Sequence, residues 1–125
     1  MDDSNERKFQ KELNGGLVGL VLLAVLAQSG EDLYGYEIAK RLANANDGTS
    51  IFKEGTIYPV LRALSAGNLL TSRIVPSYSG PPRRYYRITD LGRSVLAEWK
   101  LIWQGTRSFV DRFIDKEQST TGHSP

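Results

Sequence analysis

Two adjacent arginines, Arg83 and Arg84, follow two prolines and precede two tyrosines. Guanidinium groups donate several hydrogen bonds in one plane and match the geometry of phosphate oxygens. Pro81 and Pro82 restrict the loop that carries the two arginines. Neighbouring positive charges on a stiff loop predict contact with nucleic-acid phosphates, or entry into a minor groove.

Basic side chains are concentrated in the middle third of the chain. Residues 53–93 carry seven basic groups against two acidic ones, whereas the net charge of the whole chain is only +2. A local basic field attracts polyanions such as nucleic acid. Charge alone leaves a second interpretation open, which is a solvated basic surface without a partner.

The residue types that most metal sites and many enzymes need are scarce. The chain has no cysteine, which excludes disulfides, thiolate metal ligands and cysteine nucleophiles, and favours a reducing cytoplasm. Its one histidine, His123, lies in a polar terminal stretch that we expect to be disordered. No phosphate-binding glycine loop or carboxylate cluster stands out. We therefore expect no enzymatic activity, no metal and no cofactor.

The most apolar run, residues 17–27, is too short to span a bilayer, which needs about 20 such residues. An acidic and polar stretch precedes it, whereas a signal peptide begins with basic residues. We interpret the run as a buried helix of a cytoplasmic protein with no membrane partner.

Hydrophobic periodicity and the positions of glycine and proline predict a mainly α fold with a small β-hairpin. The chain of 125 residues suits one compact domain. The predicted helices cover 13–28, 35–46, about 54–66 and 90–114, and the predicted strands cover 69–75 and 84–88. Residues 1–12 are a polar segment that either frays or extends the first helix, and 115–125 are predicted to be a disordered tail. This order indicates a winged helix-turn-helix over 13–89, followed by a dimerisation helix over 90–114 that Thr89 caps.

The third predicted helix has two different faces. Its apolar residues recur at helical spacing and should face the core: Ile57, Leu61 and Leu64. The opposite face carries small or polar side chains and one arginine: Thr56, Pro59 and Arg62. Such a face fits a nucleic-acid groove without steric conflict, although Arg62 has the alternative of being merely solvated.

A broad apolar stripe follows the last predicted helix. One row alternates spacings of four and three, and a second row recurs every seven residues: Val95, Trp99, Ile102, Thr106, Phe109 and Phe113, then Leu96, Trp103 and Val110. The stripe is wider than the back of one small domain, so it predicts a homodimer through this helix. The alternative, that it only covers the domain's own first helix, is compatible with dimerisation.

Three motifs in this order resemble the PadR family of transcriptional regulators. They are residues 33–38 (LYGYEI), 55–64 (GTIYPVLRAL) and 83–92 (RRYYRITDLG). The resemblance extends over roughly residues 13–114, and the single C-terminal helix is similar to that of the smaller subfamily, which includes multidrug-sensing members. It implies a homodimeric winged-helix repressor that binds a pseudo-palindromic operator in double-stranded DNA.

The same resemblance implies which residues contact DNA: Tyr36, Lys53, Thr56, Tyr58, Pro59, Arg62, Arg83 and Arg84. Tyr58 has the alternative of packing in the core or at a dimer interface. Tyr85 and Tyr86 are expected to pack in the hairpin. A winged-helix module that binds proteins and never touches DNA is the alternative function.

A ligand site is also implied by the resemblance. Trp103 aligns with the tryptophan that stacks on flat ligands in multidrug-sensing members. The residues expected around such a planar aromatic ligand are Leu13, Gly16, Leu20, Trp99 and Trp103. Arg107, one turn further, favours an anionic or neutral ligand. The alternative is that both tryptophans are dimer core.

Overall fold

The computed structural model describes the backbone of residues 3–45 and 51–122, and the side chains of residues 4–45 and 51–115. The elements are Asp3–Ser29 (α1), Leu33–Tyr34 (β1), Gly35–Asn44 (α2), Glu54–Ala66 (α3), Leu70–Val75 (β2), Arg83–Ile88 (β3) and Asp90–Gly122 (α4). The predicted fold class is confirmed: a mainly helical chain with a small sheet, a winged helix-turn-helix and a long C-terminal helix.

β3 is the central strand of an antiparallel sheet with the order β1-β3-β2. β2 and β3 form the predicted hairpin, with Leu70 opposite Ile88 at its base and Val75 opposite Arg83 toward its tip. The sequence did not predict β1. This strand has only two residues, too few to show an alternating pattern, and it exists because the connection from α1 to α2 passes along the free edge of β3.

Both long helices exceed their predicted lengths. α1 begins at Asp3, so the polar N-terminal segment extends the helix and does not fray. α4 continues to Gly122, beyond residue 114 where the helix was predicted to end. Good helix formers in 6–12 favour the extension of α1, and neither extension contains proline. The remaining residues, 1–2, 46–50 and 123–125 with His123, lie outside the described residues.

The core lies between α1, α2, α3 and the inner face of the sheet. Its buried side chains are Val18, Leu22, Leu23, Leu26, Leu33, Ile38, Leu42, Phe52, Ile57, Leu61, Leu64, Leu70, Tyr86 and Ile88. The inward direction predicted for the apolar face of α3 and the packing role of Tyr86 are therefore confirmed. By length and composition alone, α1 could cross a membrane over Ser4–Ser29. Four of its side chains instead contribute to this core.

The start of α4 is held against the turn between α3 and β2. The hydroxyl of Thr89 accepts a hydrogen bond from the backbone N–H of Gly92 at 2.9 Å and donates one to the carbonyl oxygen of Asn68 at 2.7 Å. Thr89 is therefore the predicted cap of α4. A side chain at Gly92 would overlap the carbonyl oxygen of Leu69, so only glycine allows this approach.

Candidate nucleic-acid interface and ligand groove

α3 exposes the face that its sequence pattern indicated. Lys53 precedes the helix, and its carbonyl oxygen accepts hydrogen bonds from the backbone N–H groups of Thr56 and Ile57 at 2.9 and 3.1 Å. Lys53, Pro59 and Arg62 are exposed, and Thr56 is half-buried. Among the side chains that the structure describes, no carboxylate forms an ion pair with Lys53 or Arg62. Both cations are therefore available to a polyanion.

The ring of Tyr58, a residue of α3, lies against Gly35, the first residue of α2. Its ring packs so closely on Gly35 that a side chain at that glycine would overlap the ring. Burial raises the pKa of the Tyr58 phenol above its ordinary value, so the group stays protonated at neutral pH. Of the two roles considered for Tyr58, the packing role is the one that its position supports. The ring fixes where α3 begins relative to α2.

The start of α2 carries an exposed aromatic surface. Tyr36 is 55% exposed, and its ring lies 6.2 Å from the ring of Tyr34 in a stacked arrangement. The ammonium group of Lys40 lies 5.7 Å from the centre of the Tyr36 ring. Sequence reasoning included Tyr36 but missed Tyr34 and Lys40. Lys40 could have been found from its spacing, because it follows Tyr36 by four residues and therefore lies on the same face of the helix.

Arg83 and Arg84 point to opposite faces of the hairpin, as successive residues of a strand do. Both side chains are exposed, and β3 begins at Arg83, one residue earlier than predicted. The guanidinium carbon of Arg83 lies 4.5 Å from the centre of the Tyr34 ring. Arg84 instead donates a hydrogen bond to the hydroxyl of Ser72 at 3.1 Å. The two arginines are therefore not equivalent, although the sequence treated them as a pair.

Two other arginines of the basic stretch share one carboxylate, which offsets one of their two positive charges. Arg73 donates to one carboxylate oxygen of Asp32 at 2.8 Å, and Arg87 donates to the other. These hydrogen bonds hold the pKa of Asp32 below its ordinary value of 3.8, so the carboxylate is charged at neutral pH. The net positive charge around these residues is consequently smaller than the count over residues 53–93 implied.

Two contacts connect α2, α3 and the hairpin. Tyr58 packs on Gly35 and joins α3 to the start of α2. Tyr34, directly before Gly35, is paired with Tyr85 of the hairpin, and their ring centres lie 5.4 Å apart. The three basic segments are therefore held in a fixed relation, as recognition of a rigid duplex requires.

A groove of about 470 Å³ lies between α1 and α4. The structure brings together there all five residues predicted for a ligand, along with four others: Leu13, Gly16, Leu20, Trp99 and Trp103, then Glu12, Leu17, Ile102 and Thr106. A methyl group at Gly19 would lie 3.5 Å from the indole of Trp99, an ordinary contact, so the approach of the two helices does not require glycine at this position. The lining is mainly apolar and aromatic, which suits a flat hydrophobic guest.

The charge at this groove differs from the expectation based on Arg107. The guanidinium group of Arg107 lies 3.6 Å from the carboxylate of Asp111 on the same helix. The charged side chain that lines the groove is Glu12, which was not among the residues predicted there. The preference for an anionic or neutral ligand rested on Arg107, which does not line the groove.

The apolar stripe of α4 divides into two parts. Val95, Leu96 and Trp99 are partly buried against the core of the domain. Further along, Ile102, Phe109 and Phe113 are exposed by 64%, 54% and 65% of their surfaces. The stripe thus covers the domain's own core at one end and leaves large apolar side chains uncovered at the other.

Comparisons with known proteins agree with this architecture. Residues 22–98 match the model of the transcriptional regulator PadR-like family. The chain is 33% identical to a PadR family transcriptional regulator from Eggerthella lenta, over 90% of this chain and 95% of that one, with a TM-score of 0.72. A PadR-like transcriptional regulator from Bacillus cereus is 30% identical over 82% of this chain and 96% of its own, with a TM-score of 0.65.

A further relative is an uncharacterized protein of Lysinibacillus sphaericus, which is 30% identical over 82% of this chain and 92% of its own length. The family match covers most of the winged domain and the part of α4 that packs on it. The chain therefore belongs to the PadR-like family of transcriptional regulators, which are DNA-binding proteins and not enzymes.

Proposed function

We propose that the protein is a cytoplasmic, homodimeric repressor that binds a pseudo-palindromic operator and responds to a planar aromatic ligand. The observation that carries the proposal is the uncovered apolar part of α4 beside the tryptophan-lined groove. Large exposed apolar patches are typical of interfaces, and a two-fold dimer would cover this one with the same surface of a second copy. The two recognition helices would then reach half-sites about 34 Å apart.

The DNA contacts divide into two groups in this proposal. Lys53, Thr56, Pro59 and Arg62 of the α3 region enter the major groove, where base edges can be read. Tyr36, Arg83 and Arg84 contact the backbone or the minor groove and set the register of the domain. Tyr58 contributes indirectly, because its ring positions α3. The support is the exposure of the first group and the lack of carboxylate partners for its cations among the described side chains.

Arg62→Ala should change the preference among operator sequences more than it changes affinity for mixed-sequence DNA. An arginine in the major groove can pair with guanine, which contributes about 1–3 kcal/mol of discrimination. Competition binding between a selected operator and its base-substituted versions measures this effect.

Arg93→Ala is the matched control for Arg62→Ala, because Arg93 is an exposed arginine at the start of α4 and not on α3 or the hairpin. We expect it to leave both affinity and preference unchanged. A uniform loss of affinity in Arg62→Ala, with no altered preference, would assign Arg62 to a phosphate contact.

Trp103→Ala should abolish binding of flat aromatic compounds while leaving operator affinity within a few-fold of the parent. Stacking on an indole requires shape more than specific hydrogen bonds, so removal of the ring removes the main contact. Trp103→Phe is the matched variant, which keeps an aromatic face and should retain part of the affinity. Anisotropy of a fluorescent planar ligand measures binding without relying on protein fluorescence.

A neutral or cationic ligand fits the groove better than an anion, because Glu12 lines it. If the parent and Trp103→Ala bind the aromatic ligand equally well, Trp103 has only a packing role in the dimer interface. A ligand can control repression only if it binds the two conformations of the dimer with different affinity, so operator binding is measured with and without ligand.

A protein-interaction module without DNA binding is the alternative, and salt separates it from the proposal. Each phosphate contact releases counterions, so the affinity for duplex DNA should fall steeply with rising salt. Selection of bound duplexes from genomic DNA, followed by binding at several salt concentrations, tests this. A protein that selects no duplex and shows no salt-dependent binding would support the alternative.

A further inference from the structure

Two cations and two aromatic rings form a continuous row at the junction of the hairpin and α2. The guanidinium of Arg83 lies 4.5 Å from the centre of the Tyr34 ring, and the Tyr34 ring stacks on Tyr36 at 6.2 Å with an interplanar angle of 28°. Lys40 extends the row with its ammonium group 5.7 Å from the Tyr36 ring centre. The row begins on β3 and ends on α2, so it connects two of the three segments of the DNA interface.

Tyr34 is the member of this row whose position is most constrained. It pairs with Tyr85 as the last residue of β1, and the two rings lie 5.4 Å apart. It is also the residue that caps α2, and its backbone N–H donates a hydrogen bond to the carboxylate of Glu37 at 3.0 Å. The ring therefore has a direction that both the sheet and the helix determine.

The way in which Arg83 is held differs from that of its neighbours on the sheet. Arg73 and Arg87 both donate to the carboxylate of Asp32, which offsets one of their two positive charges and occupies part of their donors. Among the described residues no carboxylate forms an ion pair with Arg83, and the Tyr34 ring contacts its guanidinium carbon. An aromatic face attracts a guanidinium through its π-system, while the N–H donors at the edge stay free. Such stacking fixes the cation without neutralising it.

We propose that Tyr34 is a positioning residue of the DNA interface, which holds the guanidinium of Arg83 beside Tyr36 so that the hairpin and α2 present one preformed phosphate-binding edge. The inference rests on the proposed DNA contacts of Tyr36 and Arg83. Tyr34 itself touches no DNA in this proposal and acts through Arg83. Preorganisation of this kind lowers the conformational entropy that an arginine loses on binding.

A double-mutant cycle tests the coupling between the two residues. Tyr34→Leu should weaken binding to a mixed-sequence duplex about two- to fivefold, which corresponds to the strength of an exposed cation–π contact. In an Arg83→Ala background the same substitution should cause almost no further loss, since the cation that it positions is absent. Tyr34→Phe keeps the ring and should bind like the parent.

Arg84 is the matched control for Arg83 in this cycle. It adjoins Arg83 in sequence, lies on the opposite face of the hairpin and bonds to Ser72. Tyr34→Leu should therefore cause its full loss of affinity in an Arg84→Ala background. Thermal melting of every variant shows whether the domain is folded, and a merely structural role of Tyr34 would reduce binding equally in both arginine backgrounds.

A measurement on the parent protein tests the contact between Tyr34 and Arg83 even if a variant misfolds. In a proton NMR spectrum the side-chain protons of Arg83 should be shifted upfield by the Tyr34 ring current, and the spectrum of Arg83→Ala identifies these signals. Unshifted Arg83 protons, or losses in the cycle that simply add, would overturn the role of Tyr34 while DNA binding by the parent stands. A parent protein that binds no duplex would overturn the proposed function as well.

Discussion

Phe113→Asp is expected to raise the dissociation constant of the homodimer by at least about 100-fold. Phe113 is 65% exposed in the single chain and packs edge-on against Phe109 at 5.2 Å between ring centres. If a second copy covers this stripe, aspartate would be buried without a partner, and an uncompensated buried charge costs about 3 kcal/mol or more. Two-fold symmetry places the substitution in the interface twice. Sedimentation over a concentration series measures the dissociation constant.

Leu101→Asp provides the matched control for Phe113→Asp. Leu101 lies on the same helix and is 69% exposed, but it points about 120° away around the helix axis. We expect Leu101→Asp to remain dimeric and to bind the operator like the parent. Phe113→Asp, as a monomer, should retain only the weaker affinity for a single half-site. A dimeric Phe113→Asp at micromolar concentration, or dissociation by Leu101→Asp, would place the interface on another surface.

Gly92→Ala is expected to destabilise the fold by about 2–3 kcal/mol, which is the cost of forcing extra volume into a packed site. The new methyl group would overlap the carbonyl oxygen of Leu69 and lie 2.8 Å from Cγ1 of Ile88. The Leu69 carbonyl cannot move freely, because it accepts a hydrogen bond from the backbone N–H of Thr89 at 3.1 Å and lies 3.1 Å from the hydroxyl oxygen of the same residue. Urea unfolding of the two proteins under identical conditions measures the difference.

Gly67→Ala tests whether that effect is specific to the site of contact. Gly67 lies in the same turn, has a negative φ of −85° and would place a methyl group 3.6 Å from the nearest atom outside its chain neighbours, an ordinary contact. Alanine can adopt this conformation and loses less chain entropy on folding, so stability should be unchanged or slightly raised. Equal losses in the two variants would mean that the α3–β2 turn, and not the approach of α4, is the sensitive feature.

Local chemistry explains why much of the fold could be predicted from the sequence. The spacing of Ile57, Leu61 and Leu64 shows which face of α3 is buried, because helical periodicity depends only on nearby residues. Thr89 was recognised as a helix cap for the same reason, since its hydroxyl bonds to a backbone group three residues away. The three family-like motifs also include Gly35 and Gly92, where a side chain would collide with Tyr58 and with Leu69, each 23 residues away in the chain.

The lengths of the long helices were predicted poorly for a related reason. Periodicity shows where a helix packs against a core, but α1 and α4 both continue beyond the stretch that their apolar pattern marks. The extension of α1 places Glu12 at the edge of the groove between α1 and α4. Helix boundaries are weakly specified by a sequence, so an expectation based on Arg107 alone did not include this acidic group.

The sequence by itself determined the order of the four helices and the hairpin, the buried face of α3 and five of the nine residues that line the groove between α1 and α4, because each follows from residue type at short spacing or from the resemblance to the family. Only the tertiary structure decided how the charges and aromatic rings are used. Asp32 pairs with both Arg73 and Arg87 across separations of 41 and 55 residues, whereas Arg83 stacks on the ring of Tyr34. No local pattern encodes such pairings, because they depend on which strand edges the folded chain brings together.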